Sequence, residues 1–362
     1  MPFSEITFYN FRNIQNQKVP IHYRQVFFIG INGQGKTNFL EALYALAYGR
    51  SFRASRDNIM ITTDCAEMAL FAKWHPDMEE GMNTAIAIKY TRGKKEIRRD
   101  GMLITDRTEL LKHIPVILFN HNDIEFVSGL PENRRWFFNQ CLSRYHTEFI
   151  NDLQVYTKIL KSRNKVLKEH DFSLLDIYNQ HLVGAGIKIM RERQQLIQNF
   201  NSLFTPLFEK ISEFGEEVTI EYQPSWNVLV EDELIRVLEN KIDADMHRNT
   251  TTSGPHRDKF LFKVNGRNVL HEASTGQIRL ISLILRITQA RLYSQMSNKK
   301  PILLIDDVLL EMDREKQERL IQELPDYDQA FFTFLPDNDI YKTGNENAIR
   351  YSVHNGEYQK MK

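Results

Sequence analysis

The feature that most constrains this chain is a strand-like run, Val26-Phe27-Phe28-Ile29, leading straight into Gly30-Ile31-Asn32-Gly33-Gln34-Gly35-Lys36-Thr37. Every position of the spacing G-x-x-x-x-G-K-T is filled, and Asn38-Phe39-Leu40-Glu41-Ala42-Leu43 opens a helix. The order strand, loop, helix is what phosphate binding requires. Glycines let backbone N–H groups curl around an anion, and the helix N-terminus adds partial positive charge. Lys36 can then reach the outer phosphates, while the Thr37 hydroxyl can ligate Mg²⁺. The expectation is a nucleoside triphosphate site.

The chain of 362 residues has room for about two domains at ~150 residues each. Hydrophobic residues make up 42% and charged residues 26%, an ordinary globular composition. Formal net charge is zero, so a nucleic-acid partner has to rest on local patches. Cys65 and Cys141 are too few for a disulfide framework and lack metal-site spacing. Met1-Pro2-Phe3-Ser4-Glu5 has no secretory character, and no apolar run reaches the ~18–20 residues that span a bilayer. The expected compartment is a reducing cytoplasm, away from membranes.

Val26–Ile29, Pro115–Phe119, Ile302–Ile305 and Ala330–Leu335 read as strands of a sheet covered on both faces, because they are short, continuous and apolar. Glu5–Tyr9, Thr84–Tyr90 and Phe260–Val264 alternate instead. Asp100-Gly101 and Asn265-Gly266 predict hairpin turns. The sheet content is therefore mixed, with parallel strands beside an antiparallel layer. From Phe138, apolar residues at Leu142, Tyr145, Phe149, Leu153, Tyr156, Leu160 and Leu167 predict one long helix. Leu175, Tyr178, Leu182, Ile189, Leu196, Phe200, Leu203 and Leu207 predict a second, with the polar break Lys168–Asp171 between them and a kink or restart at Pro206. This is read as an antiparallel helical arm, residues 128–215, inserted between two parts of an α/β head, residues 1–127 and 216–362.

Pro301-Ile302-Leu303-Leu304-Ile305-Asp306-Asp307 is an apolar strand ending in two acids. Beside a phosphate loop, Asp306 fits Mg²⁺ binding and Asp307 the orientation of an attacking water. Ser274-Thr275-Gly276-Gln277 opens the apolar helix Ile278–Arg286, and its N-terminus is a ready anion cradle.

Loop, insertion, S-x-G-Q and acid-ended strand, in that order, resemble the ATP-binding-cassette ATPases, and Phe11-Arg12-Asn13 points to their SMC-like branch. Within it the chain resembles the RecF family. The resemblance is carried by Phe11–Ile14, Gly30–Asn38, Pro131-Glu132-Asn133-Arg134-Arg135, Ser253-Gly254-Pro255-His256-Arg257-Asp258, Ser274–Gln277 and Leu304–Asp313. It implies ATP as the nucleotide, bordered by Arg12 and Asn13 and wrapped by Gly30 to Asn38. It further implies that Ser274, Gly276 and Gln277 touch the γ-phosphate held by a second subunit, in an ATP-dependent homodimer. Asp306 would serve Mg²⁺, Asp307 and Lys36 hydrolysis, and Thr333 would sense the γ-phosphate. Glu311-Met312-Asp313 resembles the loop that crosses the dimer interface. Thr275 and Ile278-Arg279 depart from the glycine-rich form of the signature. Asp307 stands where glutamate is usual, one methylene shorter, so slow hydrolysis is expected.

Lys158, Lys161, Arg163, Lys165 and Lys168 form one basic stretch, and Arg92, Lys94, Lys95, Arg98 and Arg99 another. Such groups bind phosphates without regard to sequence. The resemblance implies double-stranded and gapped DNA as ligands, a role in replication maintenance and recombinational repair, and cooperation with RecO and RecR. Two other readings stay open on the residues alone: a nucleotide-gated scaffold with negligible hydrolysis, and the nucleotide-binding subunit of a membrane transporter.

Overall fold

The computed structural model describes residues 3–54, 56–74, 84–106, 110, 113–212, 217–310, 312–338 and 347–361. The expected domain boundary at 215/216 and the interface residue Glu311 lie outside these residues. Two compact units are present: Met1–Asn122 with Ser297–Lys362, and Asp123–Met296.

In the first unit, β1 (Phe3–Tyr9), β2 (Lys18–Pro20), β3 (Gln25–Ile29) and helix α1 (Lys36–Tyr48) are followed by β4 (Glu67–Trp74), β5 (Thr84–Thr91), β6 (Lys94–Arg99), β7 (Met102–Leu103) and β8 (Val116–Phe119). An antiparallel sheet runs β2-β1-β4-β5-β6-β7. Its strands alternate, as β4 does residue by residue, because only one face meets the core. The four continuous apolar runs become neighbours in the other sheet. It has the order β15-β14-β3-β13-β12-β8 and uses β12 (Ile302–Ile305), β13 (Gln329–Phe334), β14 (Ala348–His354) and β15 (Glu357–Lys360). All adjacent pairs in it are parallel except β14 with β15. Helix α1 is buried along nearly its whole length and shares one core with residues of both sheets. A helix covered on all sides must be apolar all round, as Phe39–Tyr48 is apart from Glu41.

The second unit holds α2 (Pro131–Tyr145), α3 (Thr147–Glu169), α4 (Leu175–Ser212), β9 (Val218–Gln223), α5 (Glu231–Asn240), α6 (Ile242–Arg248), β10 (Lys259–Val264), β11 (Arg267–Asn268), α7 (Val269–Glu272) and α8 (Thr275–Ser297). The helix predicted from Phe138 to Leu167 is two helices. His146 interrupts it at φ −118, ψ 89, and its ring shares a 3.0 Å hydrogen bond with Glu192. The apolar periodicity runs on across the break, which hid it. Lys168–Asp171 does contain the turn, with His170 in the left-handed region. Helix α4 runs through Pro206 to Ser212. Within α4, Asn201 exchanges side-chain hydrogen bonds of 2.7 and 2.9 Å with the Ile220 backbone, so β9 is tied to α4.

The Ser253–Asp258 stretch is a packing and hydrogen-bonding hub of this unit. Gly254 sits at φ +127, and a Cβ there would lie 2.7 Å from the Tyr156 hydroxyl and 3.1 Å from the Trp226 ring. The Trp226 ring also covers Gly186 of α4. Asp258 accepts hydrogen bonds from Arg193 at 2.7 Å, Tyr222 at 2.5 Å and the Ser225 N–H at 2.8 Å.

The basic stretches need correction at two positions. Arg163 is fully buried, paired with Asp245 at 2.7 Å and bonded to Asn179 and Thr251, so it is not a DNA-facing residue. A charge this deep persists only when paired. Lys95 turns inward onto the Gly49 carbonyl and the Asp57 carboxylate. Lys158, Lys161, Lys165, Lys168, Arg92, Lys94 and Arg98 are exposed.

Candidate nucleotide site

The phosphate loop leaves β3 and enters α1, whose N-cap Gly35 has φ 117. Gly33 is also at positive φ, +81. Both values suit glycine and strain other residues. Lys36 is buried, its Nζ donating to the Gly30 carbonyl at 2.6 Å and the Ile31 carbonyl at 3.3 Å, with Asp307 Oδ2 at 3.8 Å. Burial pulls the Lys36 pKa down, and the charges of Asp307 and Asp306 act the other way.

The pairing β3–β13–β12 brings the far-separated acids to the loop. Thr37 Oγ1 donates to Asp306 Oδ1 at 2.8 Å. Thr333, on β13, lies between the two acids. Its hydroxyl accepts the Asp307 N–H at 2.8 Å and lies 2.8 Å from Asp307 Oδ1 and 3.2 Å from Asp306 Oδ1. Asp307 adopts φ +53. Aspartate tolerates that left-handed conformation better than most residues, which gives a local reason for aspartate here.

Burial raises the Asp306 pKa to about 6; the neighbouring Asp307 charge adds to this, while the Thr37 and Thr333 hydroxyls oppose it. A buried carboxylate beside a threonine hydroxyl is an all-oxygen donor pair short of positive charge. That donor set fits a hard cation such as Mg²⁺.

Other predicted residues fall in two places. Asn13 Nδ2 donates to the Gly33 carbonyl at 3.1 Å, and Asn38 Nδ2 donates to Asn13 Oδ1 at 2.6 Å, so both flank the loop. Arg12, at φ 51, commits its guanidinium to the fully buried Glu41 of α1 through bonds of 2.8 and 2.6 Å. Ser274, Gly276 and Gln277 lie in the second unit, at the start of α8. There Ser274 N–H donates to Gln277 Oε1 at 2.8 Å and Gln277 N–H to Ser274 Oγ at 3.3 Å, a reciprocal capping box. Among the described residues a Cβ on Gly276 would meet only Ser274 Oγ, at 4.0 Å, so their packing does not demand glycine there.

One basic residue was missed from the sequence. Arg53 donates to Asn38 Oδ1 at 2.7 Å, stays partly exposed, and its charge acts to lower the Asp306 pKa. The signal was the pair of arginines in Arg50-Ser51-Phe52-Arg53, directly after the end of α1 at Gly49.

Comparison with known proteins finds relatives along nearly the whole chain. Residues 2–358 match the RecF/RecN/SMC N terminal domain. The chain is 40% identical over 352 residues to the DNA replication and repair protein RecF of Treponema pallidum, covering 97% of this chain and 99% of that one. It is 30% identical to the RecF of Leptospira interrogans over 335 residues, 92% and 91% of the two chains. A solved structure of the recombination mediator protein RecF with ATP, in the RecFOR pathway, superposes with TM-score 0.88 at 26% identity, covering 99% of this chain and 97% of that one. An Smc head domain from Pyrococcus furiosus shares the fold, with TM-score 0.59 at 15% identity over 99% and 95% of the two chains. The mixed α/β architecture is that of the SMC-like ATPase head, and the chain belongs to the RecF family.

Proposed function

We propose that this chain is an ATP-dependent DNA-binding protein of replication maintenance and recombinational repair, which dimerises on ATP and hydrolyses it slowly. The observation that carries the reading is the hydrogen bond from Thr37 to Asp306 across 269 residues of sequence. It joins the phosphate loop to the acid-ended strand, as nucleotide hydrolysis requires. Lys36, resting on loop carbonyls, turns to the outer phosphates when nucleotide enters. Thr37 and Asp306 would hold Mg²⁺, which neutralises phosphate charge when bound. Asp307 accepts a hydrogen bond from the attacking water, with Thr333 fixing its carboxylate. One water is consumed, and ADP and phosphate are released.

The signature residues Ser274, Gly276 and Gln277 act on the nucleotide of a second subunit. Each site is then complete only in the dimer, so ATP stabilises association by mass action. Double-stranded and gapped DNA binds through the exposed lysines and arginines of the arm, residues 128–215, and of the β5–β6–β7 hairpins. RecO and RecR are the partners by analogy with relatives of the RecFOR pathway. Among the described residues no helix is long and apolar enough to cross a membrane.

Replacing Asp307 with Asn tests the hydrolytic role. ATP should still bind and the dimer should persist, while phosphate release falls by about 100-fold, the loss of a positioned base. Unchanged turnover would assign Asp307 a structural role and favour a nucleotide-gated scaffold.

A further inference from the structure

The β14–β15 hairpin lies against the phosphate loop and donates hydrogen bonds to its backbone carbonyls. The Tyr358 hydroxyl donates to the Gly35 carbonyl at 2.8 Å, and the Gly356 N–H donates to the Gln34 carbonyl at 2.9 Å. Asn13 Nδ2 completes the row at the Gly33 carbonyl, 3.1 Å away. Three successive loop carbonyls thus each accept from a group outside the loop. A trans peptide is planar, with its C=O and N–H pointing opposite ways. Holding the carbonyls of Gly33, Gln34 and Gly35 therefore turns the N–H groups of Gln34, Gly35 and Lys36 to the opposite side. Those N–H groups are the ones a phosphate needs.

We propose that the β14–β15 hairpin, with Asn13, is a backing device that presets the phosphate loop for nucleotide, and that Tyr358 is its principal positioning residue. The inference rests on the reading of Gly30–Thr37 as a nucleotide site. The Gly35 carbonyl also accepts the Phe39 N–H of α1 at 3.1 Å, so the Tyr358 hydroxyl fixes the joint between loop and helix. The hydroxyl is buried and cannot wander. The Tyr358 ring packs edge-on against Phe28, 5.5 Å away, and Phe39, 4.9 Å away. The hairpin turn is pressed equally closely onto its neighbours. Gly356 sits at φ +77, and a Cβ there would lie 1.9 Å from the Asn13 carbonyl oxygen. Asn355 N–H donates to Gln34 Oε1 at 2.6 Å, adding a side-chain tie to the same loop residue. At the strand end, a Cβ on Gly30 would meet the Val353 carbonyl at 2.5 Å. The hairpin therefore touches the loop at Gly30, Gln34 and Gly35.

Tyr358→Phe removes one hydroxyl and keeps the ring. Tyr351→Phe is the control: its hydroxyl, on the same hairpin, bonds the Pro20 carbonyl, away from the loop. Equilibrium binding of a fluorescent ATP analogue is measured for wild type, both variants and Lys36→Met, with circular dichroism and thermal melting on each. Tyr358→Phe should weaken binding by about 5–10-fold, the effect of one net hydrogen bond acting on the bound state. Tyr351→Phe should bind as wild type, whatever it does to melting. Gly356→Ala should weaken binding further, provided it remains folded by circular dichroism. Equal affinity of Tyr358→Phe and wild type overturns the inference while leaving the nucleotide site standing. Failure of wild type to bind better than Lys36→Met overturns the nucleotide reading itself.

Discussion

His256 makes a quantitative test of the hub in the second unit. Its Nδ1 lies 2.7 Å from the Tyr156 hydroxyl and its Nε2 2.9 Å from the Thr251 carbonyl. A carbonyl can only accept, so Nε2 carries the proton and Nδ1 accepts from Tyr156: the ring is held neutral. Burial is the main cause that lowers its pKa from 6.5 to about 4. The bond to Thr251 and the charge of Asp245 oppose this, while Arg257 and Arg135 reinforce it. As pH falls from 6.5 towards 4 the unfolded chain takes up a proton that the folded one refuses. Stability is therefore full above about pH 7 and is lost through that window. At about 1.4 kcal/mol per pH unit the loss approaches 3 kcal/mol, and partial solvent exposure reduces it to about 2 kcal/mol. His256→Gln keeps a donor near Thr251 and cannot titrate. In a Trp74→Phe background the remaining tryptophans, Trp136 and Trp226, both report on the second unit. Urea unfolding followed by their fluorescence, from pH 7.5 to 4, should show wild type losing about 2 kcal/mol relative to His256→Gln. A difference that does not change with pH would refute the argument.

Gly254→Ala forces a Cβ between the Tyr156 hydroxyl and Trp226 at positive φ, and should destabilise the second unit by about 2–4 kcal/mol in the same urea assay. Asp123→Ala removes the carboxylate that lies 2.6 Å from the buried Arg286 guanidinium and should cost about 3–5 kcal/mol. The double change Asp123→Leu with Arg286→Met should recover most of that loss, since apolar groups replace the whole buried ion pair. Asp306→Asn should abolish phosphate release yet raise the melting temperature of the metal-free protein at pH 7.5. A carboxyl whose pKa is raised from 3.8 to about 6 loses stability as pH rises through that range, by about 2–3 kcal/mol here. The gain from the substitution should shrink towards pH 4.

How far the sequence spoke depended on whether the relevant force is local. The buried strands β3, β8, β12 and β13 were legible because burial on both faces demands unbroken apolar runs. The Asp100-Gly101 and Asn265-Gly266 turns were legible for a similar reason, with all four residues at positive φ in the structure. Asn355-Gly356 carries the same signal and closes the hairpin behind the phosphate loop. The His146 break was invisible, because its partner Glu192 lies on another helix. Arg163 read as solvent-facing because the acid that buries it, Asp245, is 82 residues away. Within the nucleotide site, Lys36, Thr37 and Asp306 followed from motif order, whereas the commitment of Arg12 to Glu41 needed the tertiary contact.

Molar mass in solution decides whether two chains share each nucleotide site. It is measured by light scattering without nucleotide, with ADP and with ATP–Mg²⁺, for wild type, Lys36→Met and Ser274→Arg. ATP alone should double the mass of wild type, and either substitution should abolish the shift. A mass that stays at one chain with ATP–Mg²⁺, including when gapped DNA is added, would contradict the two-subunit site.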